Sequence, residues 1–208
     1  HFTPEVDAAL TARGVQFGEL VLHVGAGTFR PLEGDDPKAH AMHAELFTVN
    51  RSLLEALRQA KGPRVAVGTT SLRTLESLYP LSVLLRKPNA RASNELEDLP
   101  LIEQWACENL PDPTPAVQAQ CLAHLLAEID QRESGQLVAR TQLMVAPGHR
   151  FAFADALITN FHQPNSTLLV LVEAWVGPSW RDIYAHALAN DYRFLSYGDS
   201  SLLWRDER

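Results

Sequence analysis

Apolar and polar positions along the chain repeat with two periods, one typical of strands and one typical of helices. The short apolar runs VQFGELVLHV, LFTV and RVAVG predict strands, and the last of these predicts a buried strand. Longer stretches with an apolar residue at every third or fourth position predict helices. Residues that favour a helix start precede four of these stretches, namely Thr3, Asn50, Thr114 and Ser166 or Thr167.

The remaining segments continue the alternation. Asp36 and Pro37 predict a short helix through KAHAMHAE, and TSLRTLESLY predicts a helix with hydroxyl side chains in its first turn. QLVARTQLMVAPG and FAFADALI return to the strand pattern, and SWRDIYAHALAND predicts a final amphipathic helix. Strands that alternate with helices of this length predict an α/β fold, with a mixed or barrel-like central sheet flanked by helices.

The stretch from residue 80 to residue 135 has a different character. It is rich in proline and acidic residues and then becomes one long helical pattern that begins at Thr114 and Pro115. We therefore expect a peripheral helical insertion over residues 80–135, with a partial catalytic core formed by residues 1–79 and 136–208.

Composition narrows the class of protein. With 46% hydrophobic and 21% charged residues, the chain is an ordinary globular sequence, and its net charge of −7 argues against indiscriminate nucleic-acid binding. No apolar run reaches the roughly 18 residues that a membrane span needs, and the chain opens without a charged and then apolar leader. Cys107 and Cys121 lack metal-ligand spacing, so we expect reduced thiols in a cytoplasmic protein. We also expect a monomer. The start at His1 suggests a piece of a longer protein.

Unusual polar residues collect where predicted strands end. They follow the first strand from His23 to Arg30, the strand VAVG from Thr69 to Arg73, and the strand ADALI from Thr159 to His162. Ligands of α/β proteins bind at the carboxyl edge of the sheet, where loops and helix amino termini meet. The three segments therefore predict one ligand site.

The first of these segments, HVGAGTFRP, is a glycine loop after a strand. Gly25 and Gly27 allow a close backbone approach to a ligand, with Thr28 and Arg30 beside them. The loop does not match the dinucleotide fingerprint G-x-G-x-x-G, because Pro31 follows too soon. A simple tight turn explains this segment equally well.

The second segment, GTTSLRTLES, places Thr69, Thr70 and Ser71 at a helix start. Backbone amides and hydroxyl groups there suit a carboxylate or a phosphate. Arg73 and Glu76 lie three positions apart on the same helix, so a surface ion pair is the alternative explanation of these two charges.

A pair of histidines, His40 and His43, stands beside Glu45 in HAMHAE. On a helix the two imidazoles would share a face, and this arrangement suggests a zinc site with His23 or Glu45 as the third ligand. The spacing is not H-E-x-x-H, and the preferred interpretation is that a neutral histidine acts as a general base without metal.

The third segment, TNFHQPNST, holds more hydrogen-bonding side chains than a connector needs. A helix cap explains Ser166 or Thr167, whereas Thr159, Asn160 and His162 suggest a ligand. Near the end of the chain, Tyr197 and Asp199 are further candidates, although a turn would also explain Asp199.

Five blocks together resemble one family. LHVGAGTFRP, HAMHAE, VGTTSLRTLES, LITNFHQPNSTLL and YRFLSYGD occur in this order, and the combination is similar to the S-adenosylmethionine:tRNA ribosyltransferase-isomerases of queuosine biosynthesis. The opening HFTPE resembles the end of a GLHFT block in that family. The resemblance thus suggests a C-terminal portion that lacks the family's N-terminal part and its inserted β-barrel domain, so that the piece is catalytically incomplete alone.

The resemblance implies an unusual use of S-adenosylmethionine. The family moves its ribosyl group onto 7-aminomethyl-7-deazaguanine in tRNA to give epoxyqueuosine, releases adenine and methionine, and uses no metal. Proton-transfer roles then fall to His23, His40, His43, Glu45 and His162. Substrate contacts fall to the remaining candidates: Gly25, Gly27, Thr28, Arg30, Thr69, Thr70, Ser71, Arg73, Thr159, Asn160, Tyr197 and Asp199.

Two rival functions stay open at this point. One is a metal-dependent hydrolase that uses His40 and His43, and the other is a module that binds a nucleoside or nucleic acid without turnover. The chain also departs from the family pattern, because Gln163 and Asn165 stand where Leu and Lys are commoner. The second replacement removes a positive charge that would suit a tRNA contact.

Overall fold

A computed structural model of the chain describes residues 2–25, 37–87 and 98–205. No helix in these three ranges has both the length and the apolar composition to span a membrane. Along the described residues, the order of helices and strands is α1 (Pro4–Ala12), β1 (Leu20–His23), β2 (Glu45–Asn50), α2 (Arg51–Gln59), β3 (Val65–Val67), α3 (Thr69–Leu84), β4 (Leu101–Ile102), α4 (Pro115–Asp130), β5 (Gln136–Thr141), β6 (Ala156–Asn160), α5 (Thr167–Val176), α6 (Trp180–Ala189) and β7 (Ser200–Trp204).

The described strands form two mixed sheets. The first sheet has the order β1-β2-β5-β4, in which β4 runs parallel to β5 and the other pairs are antiparallel. The second sheet has the order β3-β6-β7, in which β3 and β6 are parallel and β7 is antiparallel to β6. Helices flank both sheets, which confirms the predicted mixed α/β fold.

The predicted helix starts are confirmed, because each depends only on local sequence. Side-chain oxygens of Thr3, Asn50, Thr114 and Ser166 accept backbone N–H groups three residues ahead, at 3.5, 2.8, 3.4 and 3.2 Å. These bonds satisfy donors in the first helical turn that have no partner within the helix.

The predicted helix over KAHAMHAE is wrong. A single 3₁₀ turn covers Pro37–Ala39, residues 40–44 are irregular, and Glu45 begins β2. Burial alternates along β2, with Glu45, Phe47 and Val49 buried, and the strand pairs with β1 and β5 over its whole length. The strand period and its two partners therefore outweigh the local helix signal, and His40 and His43 do not share a helical face.

Helix α3 runs through Pro80 and ends at Leu84, beyond the predicted end at Tyr79. Proline inside a helix costs about 3 kcal/mol, and the burial of the next turn, including Leu81 and Leu85, offsets this cost. Helix α4 contributes Leu122 and Leu125 to the same core cluster. The division into a core and an insertion over residues 80–135 stays a prediction.

One face of the second sheet is apolar and exposed. Val65 and Val67 of β3 are 40% and 47% exposed, so the prediction that this strand is fully buried is wrong. Cross-strand pairing aligns them through β6 with Trp204 and Leu202 of β7, which are 53% and 52% exposed. The opposite face of the sheet packs into the core through Ala66, Leu157 and Leu203.

Candidate active site

Polar residues collect at two places, around Glu45 in the first sheet and at the edge of the second sheet where β3 and β6 end. In the second sheet, β3 and β6 are parallel and the Gly68 N–H donates to the carbonyl of Ile158 at 2.8 Å. The segments that begin at Thr69 and Thr159 therefore lie at one edge, as predicted. The third predicted segment follows β1 in the first sheet, where the end of β1 lies beside the beginning of β2.

Glu45 is the centre of the polar group in the first sheet. It is the first residue of β2, pairs across the sheet with Thr141 at the end of β5, and is only 2% exposed. Its Oε1 accepts the Gly25 N–H at 3.2 Å and lies 3.0 Å from Nε2 of His43. Its Oε2 forms an ion pair with Nη2 of Arg73. The carboxylate thus links an imidazole, a guanidinium and the backbone of the glycine loop.

Arg73 connects the two sheets, because its helix follows β3 of the second sheet and its side chain reaches Glu45 of the first. Both side chains are buried, and burial lowers the pKa of Arg73 to about 10. The guanidinium is therefore charged at neutral pH, and the pair neutralises both charges. The surface ion pair between Arg73 and Glu76 that the sequence allowed is wrong.

Glu76 has a different environment, although it is equally buried. Its carboxylate accepts the backbone N–H groups of Ala152, Phe153 and Ala154 at 2.5, 3.0 and 3.1 Å. Nε2 of the buried His149 lies 3.6 Å from it. These bonds fix the loop before β6, so Glu76 has a structural role that its sequence position does not reveal.

The start of α3 lines a small cavity of about 20 Å³. Gly68, the residue before the helix, has a φ of +91°, and no side chain caps the first turn. The first-turn amides therefore lack the side-chain partner seen at α1, α2, α4 and α5. Thr69, Thr70 and Arg73 form the polar side of this cavity. Ser71 is half-buried in the same turn.

His162 is held by two hydroxyl groups. Its Nε2 lies 2.9 Å from Thr159 Oγ1, and its backbone N–H donates to the Tyr184 hydroxyl at 2.9 Å. Burial lowers the pKa of His162 to about 4, so the imidazole is neutral at physiological pH. Sequence reasoning missed Tyr184, which is distant in the chain and lies in an unremarkable helical pattern.

Asn160 and Asp199 organise the turn before β7. The Asn160 side-chain amide donates to the carbonyls of Gly198 and Asp199 at 3.4 and 3.1 Å. The Asp199 carboxylate accepts the Arg193 backbone N–H at 2.7 Å. Tyr197, in the same turn, is 94% exposed. The structure thus places Asn160 at the sheet edge and Tyr197 in solvent.

The other candidates are separated. His23 is exposed at the end of β1, and His40 is buried with its carbonyl bonded to the Gln104 side chain at 2.7 Å. Within residues 2–25, 37–87 and 98–205, no three His, Cys, Asp or Glu side chains are placed to hold a metal ion. Gly27, Thr28 and Arg30 lie outside the described residues.

A second, larger cavity of about 680 Å³ adjoins the small one, and the two share Leu143 and Met144. Trp105, Gln104 and Val170 are among the side chains around it. Sequence reasoning missed this cavity because its walls come from segments far apart in the chain.

Comparison with known proteins places this arrangement in context. A family model described as "Queuosine biosynthesis protein" matches residues 1–203. The S-adenosylmethionine:tRNA ribosyltransferase-isomerases of Mesorhizobium japonicum and Caulobacter vibrioides are 41% and 38% identical, over 100% of this chain and 45% and 44% of their own length. The crystal structure of an S-adenosylmethionine tRNA ribosyltransferase from Thermotoga maritima matches with 31% identity and a TM-score of 0.58, over 97% of this chain and 49% of that one. The chain thus spans about half the length of the curated relatives it matches, and it belongs to the queuosine biosynthesis protein family.

Proposed function

We propose that the chain carries catalytic groups of a transferase-isomerase that moves the ribosyl group of S-adenosylmethionine onto 7-aminomethyl-7-deazaguanine in tRNA. The products are the epoxyqueuosine nucleoside, adenine and methionine. The names of the relatives support the donor and the tRNA acceptor. The proposal assigns no role to a metal ion and places a monomer with its tRNA substrate in the cytoplasm.

The observation that carries the proposal is the contact of the buried Glu45 with His43 and Arg73, beside the uncapped start of α3. A carboxylate at hydrogen-bond distance from an imidazole nitrogen fixes the orientation of the ring and supports a role for that ring in proton transfer. The His43 side chain is about one-third exposed, so the ring is accessible to a bound substrate.

The chemistry needs such a base. The sulfonium of S-adenosylmethionine acidifies the ribose carbon next to it, and His43 removes a proton from that carbon. The electron pair left on the carbon forms a double bond as the neighbouring bond to the ring oxygen breaks, and the ring oxygen becomes a carbonyl as adenine leaves and takes up a proton. The neutral amine of the tRNA base then adds to this double bond and loses a proton, and the carbanion formed next to sulfur attacks the carbonyl to close a five-carbon ring. The alkoxide that results displaces methionine as it closes the epoxide. In this scheme Glu45 stabilises the imidazolium that His43 becomes.

His162 and the start of α3 have supporting roles in the proposal. Because its pKa is about 4, His162 contacts substrate as a neutral imidazole and not as a cation. The amides of Thr69 and Thr70, together with Arg73, hold an anionic group of the substrate. His23, Thr159 and Asn160 stay candidates for contacts with substrate at the two sheet edges.

Adenine release tests the proposal. S-adenosylmethionine and tRNA that carries the aminomethyl-deazaguanine base are incubated with this chain, and adenine is measured by chromatography. Because the chain spans about half of its relatives, the Mesorhizobium japonicum protein is assayed in parallel, with the same substitutions at aligned positions. We expect adenine to be released only with modified tRNA. The rate of adenine release should fall at least about 100-fold for His43→Ala.

Two results would overturn the proposal. One is the absence of adenine from both folded proteins with modified tRNA. The other is adenine release that His43→Ala and Glu45→Gln leave unchanged. Tight binding of modified tRNA without turnover by either protein would instead favour a binding module.

A further inference from the structure

The two cavities differ in size and chemistry but share Leu143 and Met144, and Arg73 of the Glu45 cluster (His43, Glu45 and Arg73) lines the smaller one. The smaller one, of about 20 Å³, has space for a small polar group and not for a ring. The larger one, of about 680 Å³, falls within the range of about 300–1,000 Å³ that is typical of small-molecule sites. Because the same two residues line both, the cavities are neighbours, and we call the pair the cleft, with the small cavity as its narrow end and the large one as its wide end.

The narrow end is suited to an anion. Helix α3 is 16 residues long and begins there, without a side-chain cap on its first-turn amides. Arg73 lines the same cavity, is only 7% exposed, and its Nε has no hydrogen-bond partner. A buried guanidinium N–H without a partner is costly unless a ligand accepts from it. The limited volume favours a carboxylate.

The wide end is suited to an uncharged flat ring. Met144 and Val170 belong to one apolar cluster, and the half-buried ring of Trp105 packs against it. Charges on the rim are paired, since Lys38 lies 3.4 Å from Glu108 and Arg181 lies 3.7 Å from Glu173. A paired rim offers little attraction to a polyanion, whereas an aromatic ring and apolar side chains favour stacking with a nucleobase.

The wall that carries Trp105 is held in place by polar contacts. Gln104 accepts the Met42 N–H at 3.0 Å and donates to the His40 carbonyl at 2.7 Å. Arg150 donates to Asp112 at 2.8 Å and to the carbonyl of Leu110 at 2.5 Å. These contacts fix the segment before a ligand arrives, which reduces the entropy lost on binding.

We propose that this cleft binds S-adenosylmethionine lengthwise, with its amino-acid carboxylate at the start of α3 and Arg73, and with its adenine in the wide end beside Trp105. The inference rests on the proposed function for the identity of the ligand. It assigns a position to each end of the donor and gives Trp105, Met144 and Val170 a role in adenine recognition.

Two stable probes separate the ends of the cleft. S-adenosylhomocysteine has both the adenine and the amino-acid group with its carboxylate, whereas 5′-methylthioadenosine keeps the adenine, the ribose and the sulfur but has no amino-acid group. Calorimetric titration of each probe into this chain gives two dissociation constants. We expect S-adenosylhomocysteine to bind at least about tenfold more tightly, because the charged group adds hydrogen bonds at α3 and Arg73.

Three substitutions test the assignment. Trp105→Ala should weaken both probes at least about fivefold, since stacking on an aromatic ring is lost. Trp204→Ala, on the exposed sheet face, is the matched control and should weaken neither. Thr69→Pro removes one first-turn N–H at a position where proline is tolerated, and should weaken S-adenosylhomocysteine alone.

Circular dichroism establishes that each variant is folded. If Trp105→Ala unfolds, Ala146→Phe replaces it, because this substitution fills the wide cavity from another wall.

Equal affinities for the two probes, unaltered by Thr69→Pro, would overturn the carboxylate assignment. Unchanged binding in both wide-end variants would overturn the adenine assignment, and no binding of either probe by the folded chain would overturn both. Binding as expected, without adenine release by either this chain or the Mesorhizobium japonicum protein, would leave the cleft assignment standing and contradict the proposed function instead.

Discussion

Two buried glutamates near α3 have almost the same exposure and opposite surroundings. Glu45 is 2% exposed and Glu76 is 1% exposed. Glu76 accepts three consecutive backbone N–H groups, of residues 152–154, which fixes a loop. Glu45 accepts the backbone N–H of Gly25 and also contacts two ionisable side chains, those of His43 and Arg73.

The difference shows that burial alone does not identify a functional carboxylate. A carboxylate that bonds to backbone amides is satisfied by groups that cannot move or exchange protons. One that bonds to an imidazole and a guanidinium can change its charge balance when substrate arrives. The partners of the group, and not its exposure, therefore separate a structural role from a chemical one.

The largest expected effect is on stability at Glu76. Glu76→Ala leaves the N–H groups of Ala152, Phe153 and Ala154 without an acceptor in the interior, so we expect a loss of about 3–5 kcal/mol in the free energy of unfolding. Urea denaturation measures the change. A loss below about 1 kcal/mol would show that the loop finds other acceptors and would weaken the contrast with Glu45.

The second effect is on catalysis at Glu45. Glu45→Gln keeps an oxygen for Arg73 but no longer stabilises an imidazolium at His43, so we expect adenine release to fall at least about 100-fold. The cost in unfolding free energy should be smaller than that of Glu76→Ala. Glu76→Gln is the matched control, since it makes the same change from carboxylate to amide at the structural site. The fraction of this variant that is folded should release adenine at the wild-type rate. Equal rate losses in the two Gln variants would erase the distinction.

A third test concerns His162, which is half-buried and contacts the hydroxyl groups of Thr159 and Tyr184. Its pKa in the folded chain is about 4, below the ordinary value of 6.5, so its contribution to stability is present above pH 6.5 and is lost as pH falls towards 4. We expect His162 to account for about 2 kcal/mol of the stability lost between pH 7 and pH 5. Denaturation of wild type and His162→Gln at both pH values isolates this part, and parallel curves for the two would contradict the shift.

A smaller effect is expected at Ser77, which lies next to Glu76 and connects α3 to β5. Its hydroxyl donates to the Arg73 carbonyl at 2.8 Å and lies 2.8 Å from Thr141 Oγ1. Ser77→Ala should cost about 1 kcal/mol of unfolding free energy, the usual worth of one such bond. Because Thr141 pairs across the sheet with Glu45, an accompanying drop in adenine release would show that this bond also positions the Glu45 cluster.

The smallest effect on stability is expected at Tyr197, which is 94% exposed. Tyr197→Ala should change the unfolding free energy by less than about 0.5 kcal/mol, since no packing is lost. Its role as a substrate contact is tested separately by the affinity for modified tRNA. A large loss of stability would mean that this turn is packed in solution.

Sequence reasoning succeeded where neighbouring residues decide the structure. The caps at Thr3, Asn50, Thr114 and Ser166 depend on residues within one helical turn, and all four are confirmed. The meeting of the segments after β3 and β6 followed from the general rule on parallel strands.

Sequence reasoning failed where contacts between distant segments determine the structure. The helix predicted over His40 and His43 gave way to a strand that begins at Glu45, because β1 and β5 supply its hydrogen bonds. The contact of Arg73 with Glu45 and the three bonds of Glu76 join residues 28 or more positions apart, and spacing along the chain cannot reveal them. The sequence therefore shows which candidate residues follow strands, whereas the partners of each residue depend on the fold, and the functional roles of these residues stay predictions.

The exposed face formed by Val65, Val67, Leu202 and Trp204 has a practical consequence for handling the protein. Salts such as ammonium sulfate strengthen the association of apolar surfaces, so this face should make the chain prone to precipitate as salt is added. Threonine at position 67 or 202 would keep a good strand former while reducing the apolar area. Because these side chains point away from the core, solubility can be altered there independently of the residues proposed to bind substrate.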